Sequence, residues 1–222
     1  MKLIVFDVDG TLVDSQDLIV AAQRETFLAH GLTPPSRERS LSIVGLSLVQ
    51  AFRVLAPDGP AESLAAGYKA AFQKLRQNPA YREPVFPGAA ELLAELNERS
   101  DVVLGIATGK SRRGVAHLIE RHGWHGIFAT IQTADDAPSK PHPAMLEQAL
   151  AETGADPRAS LMIGDSTFDM VMARAAGIGA IGVSWGYHRP EALREAGAET
   201  VVDSYAELRA HLHATLLAPS LV

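Results

Sequence analysis

The chain has 222 residues, of which 47% are hydrophobic and 21% charged, with a formal net charge of -6 and no cysteine. This length allows one large or two modest domains with an apolar core. The missing cysteine excludes disulfides, thiol nucleophiles and thiolate metal sites, and the negative charge gives no general attraction to nucleic acid or to an anionic membrane. No apolar run is as long as a secretory signal or a membrane span, so we expect a cytoplasmic protein.

The first predicted element is a short buried strand, residues 3–6, which ends at the run Asp7-Val8-Asp9-Gly10-Thr11. Ligands of open α/β sheets bind at the carboxyl ends of the strands. Two carboxylates placed there repel each other unless a cation or a shared proton relieves the repulsion. An Asx turn or a helix cap would account for one of the two aspartates but not for both. Asp7 and Asp9 therefore indicate a chemical site at the end of this strand.

The next segment contains no convincing strand and three amphipathic helical stretches, at 16–30, 37–55 and 61–77. Breaks rich in proline and glycine separate these stretches and lead back to the strands that follow. We predict a small all-α cap domain at 15–86, inserted into a core domain formed by 1–14 and 87–222. The insert has a net charge of +2 and the remainder of -8. This suits an anionic substrate, although solvated helix faces explain any single charge equally well.

From residue 88 onward, short apolar runs alternate with helix-like segments. The predicted strands lie at 102–107, 127–131, 161–163 and 178–183, and the predicted helices at 89–98, 111–122, 144–152 and 167–176. Apolar runs without alternation are typical of strands buried on both faces of a parallel sheet. The succession of such strands and helices predicts an α/β fold with a doubly wound, parallel, Rossmann-like sheet.

Two polar sites follow the first and second of these strands. Thr108, Gly109 and Lys110 place a hydroxyl and backbone amides at the start of a helix, which favours phosphate binding. Without other sites, a helix cap by Thr108 would be the default interpretation. Lys140 lies in a turn bounded by Pro141 and Pro143. A lone lysine in a loop is usually a solvated charge, and only the neighbouring motifs suggest a role for it.

A further pair of acids, Asp165 and Asp169, follows the strand that ends near residue 163. The two side chains lie at i and i+4 across the start of a helix. Hard oxygen ligands of this kind suit Mg²⁺, which retains waters and needs few protein carboxylates. Helix capping by Asp165 or Ser166 is the alternative, and it leaves Asp169 unexplained.

Together these residues resemble the haloacid dehalogenase superfamily of phosphohydrolases, whose four signature motifs occur here in the family's order. The motifs are Asp7-x-Asp9-Gly10-Thr11, Thr108, Lys140 before Pro141, and Gly164-Asp165-x-x-x-Asp169. The likeness spans nearly the whole chain, and the helical insert lies where one class of these proteins has its cap domain. The resemblance implies a phosphatase that acts on a small anionic phosphorylated substrate.

The resemblance also implies a role for each catalytic residue. Asp7 would be the nucleophile that attacks phosphorus, and Asp9 would protonate the leaving oxygen and later activate water. Thr108 and Gly109 would bind the phosphoryl group, while Lys140 would neutralise its charge and keep Asp7 ionised. The acid at position 9 separates the chain from the dehalogenases of the superfamily, because a leaving halide needs no proton.

The metal implied by the resemblance is Mg²⁺. Its ligands would be the carboxylate of Asp7, the backbone carbonyl of Asp9 and the carboxylate of Asp165, with Asp169 as a supporting ligand through water. Such an ion would stabilise the charge that develops during phosphoryl transfer.

Within the superfamily, the helical cap and the Thr108-Gly109-Lys110 run are similar to those of phosphoglycolate phosphatases and their pyrophosphatase relatives. We therefore expect a phosphoglycolate-like substrate, with inorganic pyrophosphatase and sugar-phosphate phosphatase or mutase as alternatives. Leu48 stands where the related mutases carry an arginine, which weakens the mutase alternative. Candidates for substrate selection are the run at 184–188, for which a packed aromatic turn is the alternative, and four cap residues: His30, Arg37, Arg39 and Arg53.

Two hypotheses from other classes stay open. A phospho-accepting receiver domain also combines acids, a hydroxyl, a lysine and Mg²⁺, but it has no place for the helical insert. A catalytically silent binding protein on the same fold would be expected to lack one of the acids, and all are present. Both a monomer and a homodimer are compatible with the sequence.

Overall fold

The computed structural model describes residues 1–217. Its strands are β1 (Lys2–Phe6), β2 (Val102–Ala107), β3 (Thr130–Gln132), β4 (Ser160–Gly164), β5 (Gly179–Val183) and β6 (Thr200–Val202). They form one sheet in the order β3-β2-β1-β4-β5-β6, and every neighbouring pair is parallel. The predicted α/β fold with a parallel sheet is confirmed.

The described range also contains ten α-helices. Five lie between β1 and β2: α1 (Gln16–Ala29), α2 (Arg37–Leu41), α3 (Leu48–Leu55), α4 (Ala61–Leu75) and α5 (Ala89–Asn97). The others are α6 (Arg112–His122), α7 (Ala144–Thr153), α8 (Thr167–Ala176), α9 (Pro190–Ala196) and α10 (Tyr205–Thr215). None of the helices in this range combines the length and the apolar character that a membrane span requires.

The structure differs from the sequence-based expectations in some element boundaries and in three elements that were not predicted. The stretch 37–55 is two helices, α2 and α3, because Gly45 has a φ of +104° in the loop between them, a conformation that ends a helix. The predicted strand at 127–131 begins only at Thr130. The elements β6, α9 and α10 were not predicted. The three residues of β6 are too few to give a periodic pattern, whereas the buried side chains of α10 do have helical spacing.

The sheet separates two hydrophobic cores, and the alternating side chains of β1 contribute to both. Ile4 and Phe6 pack into the core covered by α5, α6 and α10, while Leu3 and Val5 pack into the core covered by α7, α8 and α9. All four side chains are fully buried. Burial on both faces explains why this strand is a continuous apolar run without alternation.

The helices α1 to α4 have a hydrophobic cluster of their own. It is built around the aromatic side chains of Phe27, Phe52 and Tyr68. The ring centroid of Phe52 lies 6.1 Å from that of Phe27 and 5.8 Å from that of Tyr68. A separate cluster agrees with an inserted helical cap. The proposed division at 15–86 stays a prediction.

The register of the central strands brings three sequence motifs together. Phe6 on β1 is aligned with Ile106 on β2 and with Ile163 on β4. The residues that follow these strands therefore emerge at the same edge of the sheet. This edge is where ligands bind in open α/β sheets.

Candidate active site

Three buried carboxylates form the centre of this edge. Asp7, Asp165 and Asp169 are 1%, 2% and 0% exposed, and each offers an oxygen within 4.8 Å of the others. Asp7 directly follows β1, Asp165 directly follows β4, and Asp169 lies in the first turn of α8. Acids this close are costly to bury together unless a cation is present.

Lys140 is the cation that the chain itself supplies. Its side chain is fully buried, and its Nζ lies 2.9 Å from Asp7 Oδ1 and 2.6 Å from Asp169 Oδ1. These two carboxylates outweigh the effect of burial, which would lower the pKa of Lys140, and the pKa is raised. A lysine that the sequence alone would treat as a solvated charge is therefore held as an ammonium ion in the site.

One lysine does not balance three carboxylates. Burial raises the pKa of Asp7 to about 6, against the opposing charge of Lys140. Burial, together with the charges of Asp7 and Asp169, also holds the pKa of Asp165 well above its ordinary value. Asp7 Oδ2 is buried and has no hydrogen-bond partner in the described part of the chain. Excess negative charge and an unpartnered carboxylate oxygen are the features that a hard divalent cation would satisfy.

Asp169 is fixed from both sides. Its Oδ1 pairs with Lys140, and its Oδ2 accepts hydrogen bonds from the backbone N–H and the hydroxyl of Ser166 at 3.1 Å and 2.6 Å. Ser166 Oγ in turn accepts the N–H of Asp169, which completes a capping box at the start of α8. The helix cap that was an alternative to a functional role thus coexists with the lysine contact.

Asp165 is enclosed by backbone from two loops. Its Oδ2 accepts the N–H of Tyr187 at 2.7 Å, and its Oδ1 accepts the hydroxyl of Thr11 at 3.2 Å. A Cβ atom on Gly10 or Gly186 would overlap the Asp165 carboxylate. Both glycines are required because the backbone passes too close to this acid for any side chain. The run at 184–188 thus reaches the site through its backbone, while Trp185 packs against the core beside Tyr205, so both sequence-based interpretations of this run apply.

Asp9 lies apart from the three clustered carboxylates. Its Oδ1 accepts the Ser15 hydroxyl at 2.5 Å, and Lys110 Nζ lies 2.8 Å and 3.0 Å from its two oxygens. Lys110 also contacts Glu83 Oε1 at 3.3 Å, and Glu83 Oε2 lies 3.0 Å from Arg76 Nε. Burial would lower the pKa of Lys110, but the two carboxylates outweigh it and the pKa is raised. This chain of charges joins Asp9 to the end of α4.

Ser15 and Lys110 were not predicted as partners of Asp9, nor was Glu83 predicted as a partner of Lys110. The sequence position of Lys110 could have indicated a role in the site, since it follows Thr108 and Gly109 directly at the end of β2. Glu83 is fully buried in the loop between α4 and α5, and nothing in the sequence distinguishes it from a surface acid. Only the tertiary contacts identify it.

Thr108 and Gly109 lie at the end of β2. Thr108 is 1% exposed, and its Oγ accepts the N–H of Lys110 at 3.2 Å. The N-terminal cap of α6 is Ser111 and not Thr108, which corrects the default interpretation of that threonine. A Cβ on Gly109 would lie 2.5 Å from the carbonyl oxygen of Gly45 and 2.6 Å from that of Leu46. The loop between α2 and α3 therefore sits directly on Gly109.

A cavity of about 660 Å³ opens from Asp7 and Asp9 between the sheet edge and the α1–α4 cluster. The four cap residues predicted as candidates for selecting the substrate do not line it. Arg37 pairs with Asp17, and Arg53 pairs with Glu62, both at exposed positions. The other two, His30 and Arg39, hydrogen-bond to backbone carbonyls within the helical insert. The cationic side chains from α4 and its end that line the cavity are Lys69 and Arg76.

Comparison with known proteins gives a consistent result. Residues 4–183 match the family described as haloacid dehalogenase-like hydrolase. A probable phosphatase, IndB, of Dickeya dadantii is 37% identical over 221 residues, which cover 96% of this chain and 94% of that protein. A phosphoglycolate phosphatase of Chromobacterium violaceum is 36% identical over 219 residues, covering 94% and 95% of the two chains.

A solved structure agrees over nearly the same length. The crystal structure of a hydrolase from Pseudomonas syringae superimposes with a TM-score of 0.83 at 29% identity, covering 97% of this chain and 99% of that one. The similarity extends over the sheet, the helices that flank it and the inserted helices α1 to α4.

Proposed function

This chain belongs to the haloacid dehalogenase-like hydrolase family, and on that premise we propose that it is a phosphatase that hydrolyses a small phosphate monoester through a phosphoryl group held on Asp7. The observation that carries the proposal is the buried cluster of Asp7, Asp165, Asp169 and Lys140 at the carboxyl edge of the sheet. The likeness to a phosphoglycolate phosphatase supports a phosphate monoester as the substrate class.

Asp7 is the nucleophile in this proposal. Its Oδ1 is held by Lys140, while its buried Oδ2 has no hydrogen-bond partner in the described residues. A carboxylate oxygen attacks phosphorus as the bond from phosphorus to the ester oxygen breaks, which gives an acyl phosphate on Asp7 and a free alcohol. Water then attacks phosphorus, releasing phosphate and regenerating Asp7. Covalent catalysis divides one difficult displacement into two easier ones.

Asp9 is the general acid and then the general base. It donates a proton to the departing alkoxide oxygen and later removes a proton from the attacking water, so that it returns to its starting state after each turnover. Its carboxylate is oriented by the Ser15 hydroxyl and by Lys110. Thr108, Gly109 and Lys140 bind the transferring phosphoryl group through a hydroxyl, a backbone amide and an ammonium.

Mg²⁺ is the metal that these residues would hold. Asp7 and Asp165 would bind it through carboxylates and Asp9 through its backbone carbonyl, while Asp169 supports the site from its position beside Lys140. When bound, the ion neutralises negative charge on the phosphoryl group and on the clustered acids. We further propose that the enzyme acts in the cytoplasm.

The test is phosphate release from a panel of esters, with 2-phosphoglycolate, sugar phosphates, nucleotides, phosphoserine and pyrophosphate, in the presence of Mg²⁺. We expect many turnovers per chain on at least one ester, with loss of activity in excess EDTA and recovery on adding Mg²⁺. A single phosphate retained per chain would instead favour a receiver domain, and no reaction at all would favour a silent binding protein. Activity unchanged in EDTA would contradict the metal assignment.

A further inference from the structure

The cavity beside Asp7 is larger than a two-carbon phosphate ester needs. Its volume of about 660 Å³ lies within the range of roughly 300–1,000 Å³ found for sites that enclose drug-sized ligands. Asp7, Asp9 and Thr108 line its inner end, where the phosphoryl group binds in the proposed mechanism. The rest of the volume is therefore available to the alcohol part of the substrate.

The wall around this remaining volume is mainly apolar. It is formed by side chains from the loop after α2 and from helices α3 and α4: Val44, Leu46, Leu48, Phe52, Tyr68 and Phe72. These side chains belong to the hydrophobic cluster of α1–α4 or pack against it, so their positions are fixed by the folding of the insert. An apolar wall favours ligands that can bury apolar surface against it.

The cations closest to the phosphoryl end are already paired with acids. Lys140 contacts Asp7 and Asp169, and Lys110 contacts Asp9 and Glu83. A carboxylate one carbon away from the phosphate would therefore find no unpaired cation beside it and would displace water from apolar side chains. Burying a charge in that way is unfavourable.

The cations of the cavity that form no ion pair within residues 1–217 are exposed: Lys69, Arg113 and Arg121. Arg113 and Arg121 both belong to α6, and the helical rise of about 1.5 Å per residue separates them by roughly 12 Å along the axis. These charges are placed to attract an anionic substrate to the mouth of the cavity and not to bind a group adjacent to the phosphate.

We propose that the preferred substrates are phosphate monoesters of bulky, largely apolar alcohols, such as those that carry an aromatic ring or an extended alkyl group. The ring of Phe72 would form the centre of the surface that contacts the alcohol. It lies 5.1 Å from Lys110 Nζ and 4.8 Å from Arg76 Cζ, measured to the ring centroid, and so joins the apolar wall to the charged end of the site. This inference rests on the proposed phosphatase function.

The experiment compares esters whose alcohols leave equally readily. We would measure kcat/KM in Mg²⁺ for ethyl, butyl, hexyl and 2-phenylethyl phosphate, with 2-phosphoglycolate alongside. Burial of each added methylene should raise kcat/KM about threefold to fourfold. We expect 2-phenylethyl phosphate to exceed ethyl phosphate by about 100-fold, since several apolar carbons are buried together.

The outcomes separate this inference from the function on which it rests. If ethyl phosphate or 2-phosphoglycolate releases phosphate but kcat/KM does not rise along the series, the inference is wrong and the phosphatase proposal stands. If no ester releases phosphate, the phosphatase proposal fails and the inference fails with it.

A variant tests the assigned surface. Phe72→Ala should lower the ratio of kcat/KM between 2-phenylethyl and ethyl phosphate by about 10-fold, because the ring contact is lost. The matched control is Val54→Ala, an exposed residue of α3 that does not line the cavity, for which the ratio should stay the same. An unchanged ratio in folded Phe72→Ala would overturn the assignment. Should that variant not fold, Leu48→Ala tests the same wall.

Discussion

At the scale of single residues, Lys140 and Lys110 show how position changes the chemistry of a side chain. Each lysine joins two acids that are far apart in the sequence, Lys140 joining Asp7 to Asp169 and Lys110 joining Asp9 to Glu83. Both pairs of carboxylates outweigh burial and raise the pKa of the lysine. The two proposed catalytic aspartates are thereby held by different cations, which keeps their environments distinct.

Asp7→Asn should abolish turnover and leave the fold intact. The amide is nearly isosteric with the carboxylate, and it removes one negative charge from a cluster of three buried acids. Loss of the nucleophile should reduce kcat/KM by at least about 10³-fold. Phosphate release and thermal unfolding followed by circular dichroism would be measured together.

Asp101→Asn is the control for this variant, since Asp101 pairs with Lys2 and Arg99 away from the site. It should retain full activity. If Asp7→Asn kept more than a few per cent of the wild-type rate, Asp7 could not be the nucleophile.

At the scale of elements, loops between regular structures carry most of the site. The loop between α2 and α3 contacts the core at Gly109 and Ser139, among other residues. The carbonyls of Gly45 and Leu46 lie against Gly109, and the N–H of Ser47 donates to Ser139 Oγ at 2.8 Å. The cavity therefore depends on how closely this loop approaches the sheet edge.

Gly109→Ala should push the loop outward, because the added Cβ would meet backbone oxygens at 2.5 Å and 2.6 Å that no side-chain rotation can move. We expect kcat/KM to fall about 10- to 100-fold through misplacement of the bound ester, with little change in melting temperature. Gly67→Ala in α4 is the control, since its Cβ would meet side-chain atoms, His30 Cε1 at 3.0 Å and Thr26 Cγ2 at 3.3 Å, and no backbone oxygen. Equal activity of the two variants would contradict a role for this contact.

The turn after β3 leads to Lys140 and is anchored by Asp136. Its Oδ2 accepts the N–H and the hydroxyl of Thr133 at 3.0 Å and 2.6 Å, and its Oδ1 pairs with Arg112 at 2.6 Å. Burial would raise the pKa of Asp136, but these contacts outweigh it and the pKa is lowered. The ionised form is therefore the one that the folded protein favours.

Asp136→Asn should lower the free energy of unfolding by about 1–2 kcal/mol at pH 7. A carboxyl group with a lowered pKa in the folded state stabilises the fold at pH values above its unfolded pKa of about 3.9, and this contribution is lost as the pH falls through the folded pKa. The difference in unfolding free energy between wild type and Asp136→Asn should therefore shrink below about pH 4. Urea unfolding across this range measures it. Asp58→Asn, at an exposed loop acid, should show no such difference. A difference that did not vary with pH would contradict the assigned ion pair.

At the scale of the whole molecule, the buried acids link metal binding to stability. Asp165 is enclosed by loops that follow β1, β4 and β5, so an ion bound there would join three parts of the core. A ligand that binds only the folded state stabilises it according to its concentration relative to Kd. This effect can be measured independently of catalysis.

Mg²⁺ at about 100 times its Kd should stabilise the protein by about 2.7 kcal/mol, which for a chain of this size raises the melting temperature by roughly 5–10 °C. Asp165→Asn should lose most of this rise. Asp203→Asn, at an exposed acid, should keep it. The metal assignment would be wrong if wild type and Asp165→Asn responded equally to saturating Mg²⁺.

The sequence by itself determined the parallel sheet and the motif residues at its edge. Continuous apolar runs such as 3–6 and 102–107 occur where both faces of a strand are buried, and parallel strands place their carboxyl ends together. Asp7, Thr108 and Asp165 could therefore be assigned to one edge without coordinates. Local chemistry and strand periodicity are sufficient for that inference, because both are properties of neighbouring residues.

Only the tertiary structure decided which side chains meet across the site. The contacts of Lys110 with Asp9 and Glu83 join residues separated by 101 and 27 positions. The cap arginines expected near the substrate, Arg37 and Arg53, instead form ion pairs on the surface. Which face of an inserted helix meets the sheet depends on the packing of the whole insert against the core. That packing is a sum of many distant contacts, and no local pattern in the sequence encodes it.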